Sequence, residues 1–212
     1  MAWDFFHGSA ESSAERDIPL LFRYVEDRDI WRWALHQSKE VNAGASMAIP
    51  TPRPGKLVSP HKDFEKIRKV FEDGEAGVKR LAELGSVITR YEDSLVRRAV
   101  RSASKRRLKL APEEVAYVVN STVLASDIGN ALAMRALKED SEVSYALIAS
   151  YQPRSKGWGI SLRSLYGNPA APNAADVSKI ANKYGGGGHR AAAGMRANIC
   201  DLESLFVEEE EK

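Results

Sequence analysis

Apolar and polar positions change period along this chain. In PLLFRYVEDRDIWRWAL, the run Leu20, Leu21, Phe22, Tyr24 and Val25 predicts a short buried strand, closed by the acidic cluster Glu26, Asp27 and Asp29. Carboxylates at a strand end often serve a site. Asp27 can also cap the helical turn that holds Ile30, Trp31 and Trp33, and spacing alone favours that cap. Residues 42 to 60 carry Pro50, Pro52, Pro54 and Pro60 among Gly and Ser and read as a loop. From Asp63 to about Lys109 the period is helical: Leu81, Leu84, Ile88, Tyr91 and Leu95 step by three and four, which predicts a helix with this stripe in the core.

From Pro112 onward the pattern alternates as in a small α/β domain. Val115 to Val119 is β-branched enough for a strand, and Ser126 to Lys138 places Ile128, Leu132, Met134 and Leu137 mostly on one helical face. Val143 to Tyr151 and Trp158 to Arg163 predict two strands joined by a turn through Pro153, Ser155, Lys156 and Gly157. After a loop rich in Pro, Ala and Asn, Ala175 to Lys183 reads as a helix with Val177 and Ile180 inward. Residues 192 to 199 read as a last strand. Leu202, Leu205 and Phe206 suggest a closing helix, and Glu208 to Glu211 a solvated tail. No internal repeat of solenoid period is present.

Composition narrows the class without naming it. A chain of 212 residues with 43% apolar content has room for one large domain or two small ones with a buried core. Its formal net charge of +2 is too small to make the whole surface a polyanion binder, so any such footprint is local. The densest basic stretch is Arg97, Arg98, Arg101, Lys105, Arg106, Arg107 and Lys109, with no acid among them. It reads equally as a polyanion track or as a solvated helix face. The single cysteine, Cys200, fits a reducing compartment and a small buried hydrophobe. The first residues lack a signal-peptide pattern and no apolar run approaches a membrane span, so a soluble intracellular and cytoplasmic protein is expected.

The strongest chemical signal is GGGGHRAAAG at 185 to 194. Gly185, Gly186, Gly187 and Gly188 carry no Cβ, so a ligand can approach their amides, and concave arrays of amides bind anions. His189 and Arg190 follow directly, and an arginine fork can hold a phosphate bidentately. A flexible linker, the alternative, seldom runs straight into His-Arg and an alanine block.

Together, ISLRS at 160 to 164 and ADVSKIANKYGGGGHRAAAG at 175 to 194 resemble the C-terminal substrate-binding domain of the DHH phosphoesterase superfamily, the DHH-associated domain of the first subtype. The resemblance implies a phosphate- or nucleotide-binding cleft formed by Arg163, the loop Gly185 to Gly188, His189 and Arg190. RYVEDRDIWRW resembles the end of the catalytic DHH domain in one nuclease-like branch. That likeness implies Asp27, with Asp29 as rival, as a manganese ligand. The organisation expected is an α/β protein with a DHH-domain remnant at 1–45, a loop and helical connector at 46–111, and a mixed-sheet α/β domain at 112–212. The family reaction is metal-dependent phosphoester hydrolysis of exonuclease or oligoribonuclease type. This sequence contains no Asp-His-His triplet, and His7, His36, His61 and His189 stand apart. Hydrolysis therefore is not expected of these residues alone, and Mn2+ is a family expectation with an incomplete ligand set. Three readings stay open: a phosphoesterase relative whose catalytic half lies in missing N-terminal sequence, a non-catalytic binder of nucleotides or single-stranded nucleic acid, and a gene-model fragment that associates through exposed Trp3, Phe5, Phe6, Phe22, Trp31 and Trp33.

Overall fold

The apolar run at Leu20 forms a helix, not a strand. In the computed structural model, which describes residues 18–48, 68–69, 72–198 and 201–208, α1 (Leu20–Asp29) turns Leu21, Tyr24 and Asp27 inward and leaves Phe22 and Val25 exposed. A five-residue apolar run has no decisive period, and a helix satisfies its own backbone where a lone strand would need a partner. The predicted loop at 42 to 60 is also partly overturned, because α2 (Ser38–Ala48) occupies its first residues. Pro50, Pro52, Pro54 and Pro60 lie outside the described residues, as do Trp3, Phe5, Phe6, His7, His61 and Cys200.

The chain divides into two compact units, Met1–Glu92 and Asp93–Lys212. The core of the first is Leu21, Tyr24, Val41, Ala45, Val78, Leu81 and Ala82, contributed by α1, α2 and the start of α3 (Gly74–Arg101). Small residues let α2 and α3 meet backbone to backbone: a methyl group on Gly44 would run into the Leu81 carbonyl, and one on Gly85 into the Glu40 carbonyl. Of the apolar stripe expected in the core, Leu81 is buried, whereas Leu84 and Tyr91 are exposed.

The second unit is built on a mixed sheet of six strands in the order β1-β2-β3-β4-β6-β5. These are β1 (Ser104–Leu108), β2 (Ala111–Asn120), β3 (Val143–Gln152), β4 (Gly157–Arg163), β5 (Gly187–His189) and β6 (Ala192–Ala197). Only β2 and β3 run parallel, joined by the crossover helix α4 (Ala125–Glu139). One face packs on α4 and on Val96, Ala99 and Val100 of α3 through Val115, Tyr117, Val119, Ala146 and Ile148. The other buries Tyr145, Leu147, Ile160, Leu162 and Met195 under α5 (Val177–Lys183) and Phe206. An α/β fold with a mixed sheet is what the sequence pattern led one to expect.

Its first strand was not expected. Residues 104 to 108, read as helical, form an edge strand antiparallel to β2. The run SKRRL has no apolar alternation to mark it, and charged side chains on an edge discourage pairing with other chains. The expected closing helix is a single 3-10 turn, Leu202–Leu205.

Candidate functional site

Helix α5 sets the geometry of the glycine loop. Asp176 caps its start, accepting from the Ser178 amide at 3.1 Å. At the other end Gly185 takes φ +72, the left-handed conformation that commonly ends helices. The Gly185 amide donates to the Asn182 carbonyl at 3.1 Å and that of Gly186 to the Ala181 carbonyl at 2.9 Å. These two amides close the helix and are not open to a ligand, which corrects the expectation of four free donors. Gly186 and Gly188 are required by close packing, since a methyl group on either would strike β6 at Met195 or Ala193. Gly187 differs: a Cβ there would meet nothing nearer than the Asn182 amide oxygen, at 3.7 Å. The fold tolerates a side chain at Gly187, so its lack of one leaves room for something outside the fold.

Strand pairing brings the sequence-distant residues together. Arg163 on β4 lies opposite Ala192 on β6, and Ala192 lies opposite His189 on β5, so the three form one rank across the sheet. The next rank but one holds Ser161, Gly194 and Gly187. Directly opposed residues share a face, which puts Arg163, His189 and Gly187 on the same side. That side is the α4 side. The stem of Arg163 lies against Gly129, where an added methyl would meet its Cγ at 2.5 Å. Its guanidinium donates to the Ser126 hydroxyl at 2.9 Å and to the Leu162 carbonyl at 2.8 Å. No carboxylate pairs with it among the described residues, and burial pulls its pKa down from the ordinary arginine value. A half-buried cation held only by neutral acceptors keeps donor capacity for an anion.

Arg190 is exposed, with its Nε 3.8 Å from the Asp176 carboxylate and its guanidinium over the Tyr166 ring at 5.7 Å. Its backbone is fixed. The carbonyl accepts from the Val177 amide at 2.9 Å, while the buried Ser164 hydroxyl donates to Ala175 O at 2.7 Å. The Ser178 hydroxyl, against the effect of burial, leads the contacts that hold the Asp176 carboxyl below the usual carboxylate range. Ser126, Ser164, Asp176 and Tyr166 thus support the site without having been singled out in the sequence; a lone Ser or Asp carries no periodicity that would expose it.

The basic cluster divides in two. Arg97, Arg98 and Arg101 stand exposed on α3 without an acidic partner among the described residues. On β1, Lys105 pairs with Asp140 and Glu142, Arg106 with Glu203 and Arg107 with Glu142.

In the first unit, Asp27 is buried and its two oxygens accept the amides of Ala34 at 2.9 Å and Leu35 at 3.2 Å. Burial works to raise its pKa, but the neighbouring Ser38 hydroxyl, the hydrogen bonds from the Ala34 and Leu35 amides and the charge of Arg32 outweigh it and hold the carboxyl below the usual range. This carboxylate ties a turn together. Among the described residues no three His, Cys, Asp or Glu side chains are grouped to hold a metal ion. The described residues around Asp27 therefore do not assemble a manganese centre.

No family model and no curated protein matches the chain. Solved structures show partial likeness. An uncharacterized protein from Helicobacter pylori is 20% identical at a TM-score of 0.32, with 64% of this chain and 33% of that one covered. A pGpG-specific phosphodiesterase from Vibrio, PggH, is 11% identical at 0.45, with 96% and 69% covered. CDC45 from Entamoeba histolytica is 10% identical at 0.47, with 79% and 36% covered. The chain thus spans about a third of the length of the first and the last. No helix among the described residues is long and apolar enough to cross a membrane.

Proposed function

We propose that the second unit binds the phosphate end of a nucleotide or short single-stranded nucleic acid, and that the chain is a DHH-phosphoesterase-like protein acting as a binder rather than a hydrolase. The observation that carries this reading is Arg163, a half-buried guanidinium without a carboxylate partner among the described residues, in one rank across the sheet with His189, from which the unfilled position Gly187 is two residues away on β5. Arg163 supplies the fork, held in place by Ser126 and Gly129. Gly187 admits the phosphate close to the backbone, and His189 and Arg190 add donors at the rim. Residues 143 to 200 carry seven Lys or Arg against one acid, Asp176, so the field over this region favours an anion. Two-metal phosphoester hydrolysis needs several carboxylate and histidine ligands, which the described residues do not group.

The test is a titration of a 5′-phosphorylated dinucleotide, followed by calorimetry, into the whole chain and into Gly187→Val and Arg163→Ala. Binding by the parent and clear loss in both variants, with circular dichroism unchanged, supports the reading. Equal affinity in all three refutes it, and manganese-dependent cleavage of the dinucleotide would refute the non-catalytic part.

A further inference from the structure

At the opposite end of β4 from Arg163, the hairpin joining β3 to β4 gathers a second set of groups that the phosphate site does not use. Tyr151 and Trp158 face each other across the hairpin, edge to face, with ring centroids 5.5 Å apart and planes at 65°. Tyr151 is 44% exposed, which leaves much of its surface open to a flat partner. Between them the turn carries Arg154 and Lys156, both exposed and without an acidic partner among the described residues. Lys156 sits at φ +50, where Gly or Asn is the usual occupant. The Ser155 amide closes the turn on the Gln152 carbonyl at 3.2 Å. No Asp or Glu occurs between Val143 and Ala175, so nothing on these strands or their turn neutralises the two cations.

We infer that this hairpin is a second contact for single-stranded nucleic acid, in which Tyr151, braced by Trp158, stacks on a base and Arg154 and Lys156 take the neighbouring phosphates. An exposed ring beside unpaired cations is the combination by which sequence-tolerant single-strand binders hold their ligand. A lipid headgroup offers no planar face for Tyr151 to stack on, whereas single-stranded nucleic acid offers one at every nucleotide beside a phosphate. Trp158 shares the α5 face of β4 with Ile160 and Leu162, whereas Arg163 lies on the α4 face. The seven residues of the strand put the hairpin about 20 Å from Arg163; a mononucleotide cannot touch both, and a polymer that does so passes over the end of the sheet. This inference rests on the reading of the phosphate site and deepens it, since the ligand is then a polymer engaged at its end and again further along.

The experiment compares a fluorescein-labelled, 5′-phosphorylated oligo-dT of twelve nucleotides with the 5′-phosphorylated dinucleotide, on the whole chain and on Tyr151→Ala, Tyr151→Phe, Arg154→Ser with Lys156→Ser, and Gly187→Val. Expected is a loss of about tenfold in twelve-mer affinity for Tyr151→Ala, the range of one lost stack, with Tyr151→Phe close to the parent. The double variant also flattens the salt dependence of twelve-mer binding. Dinucleotide affinity stays unchanged in all three hairpin variants and falls only in Gly187→Val. Should Gly187→Val bind the dinucleotide normally while the hairpin variants lose the twelve-mer, the phosphate-site reading fails and the hairpin stands. The inference is overturned if the parent does not bind the twelve-mer, if the hairpin variants bind it like the parent, or if anionic vesicles of phosphatidylserine bind through the same residues and the twelve-mer does not.

Discussion

Asp27 accepts the amide of Ala34, seven residues on, at 2.9 Å, and this pairing ties the end of α1 to the turn that follows. Trp31 and Trp33 lie inside that turn at φ +59 and +54, left-handed values that bulky residues adopt only when surrounding contacts enforce them. The folded-state pKa of Asp27 is depressed. Its contribution is therefore present above the unfolded carboxylate value, near pH 4, and is lost as pH falls through the lower folded value. Asp27→Asn should lower the thermal midpoint at pH 7, and the gap from the parent should narrow as the buffer is taken below about pH 4. A gap that stays constant down to pH 3 would show that the carboxylate charge is not what holds the turn.

Gly85→Ala should destabilise the first unit by about 1 to 3 kcal/mol, the usual cost of forcing a group into a packed contact. The Glu40 carbonyl and the Gly44 amide leave no room for a methyl on Gly85. Gly187→Ala is the control, because the fold has space there. Urea unfolding of both variants checks the contrast, and equal midpoints would contradict the close helix approach.

Arg163→Ala should weaken a 5′-phosphorylated ligand by about 1.5 to 3 kcal/mol, the range for a hydrogen bond to a charged group. Arg190→Ala should cost less. Its guanidinium is exposed and already engages Asp176 and the Tyr166 ring, so a ligand must compete for it. Calorimetric titration orders the two, and a larger loss for Arg190→Ala would move the centre of the site to the rim.

The basic residues near α3 and β1 should behave as two groups. Neutralising Arg97, Arg98 and Arg101 to Gln should leave stability nearly unchanged and flatten the salt dependence of oligonucleotide binding if the ligand reaches α3. Changing Lys105, Arg106 and Arg107 to Gln should lower stability slightly, because the pairs lost are exposed and screened by solvent. Thermal melts and salt titrations of both triple variants separate the effects.

Manganese added to the whole chain should not raise its thermal midpoint, because an ion stabilises only the state that holds it and Asp27 has both oxygens on amides. A dose-dependent rise that vanishes in Asp27→Ala would reverse this expectation.

Much of the second unit was legible in the residues themselves. Val143 to Tyr151 and Trp158 to Arg163 alternate or run apolar between turn residues, and Ser126 to Lys138 has helical spacing, so local pattern and final structure agree within a residue or two. The glycine loop stood out because four consecutive glycines have no compositional explanation. Its amides were another matter. Whether Gly185 and Gly186 face a ligand or close a helix depends on where α5 ends in space, and the carbonyls of Asn182 and Ala181 claim them.

By itself, the sequence determined which segments could form periodic elements and where conformational freedom and cationic chemistry were concentrated, because period, glycine and charge are local properties. Tertiary structure decided what each was paired with. It made Leu20 to Asp29 a helix, since only burial of Leu21 and Tyr24 against Val41 and Leu81 distinguishes the two readings of an apolar run. Residues 104 to 108 became an edge strand because β2 offered an unpaired backbone to match. It also set Arg163 in one rank with His189, twenty-six positions later, because strand register is a relation between distant residues that no local pattern contains.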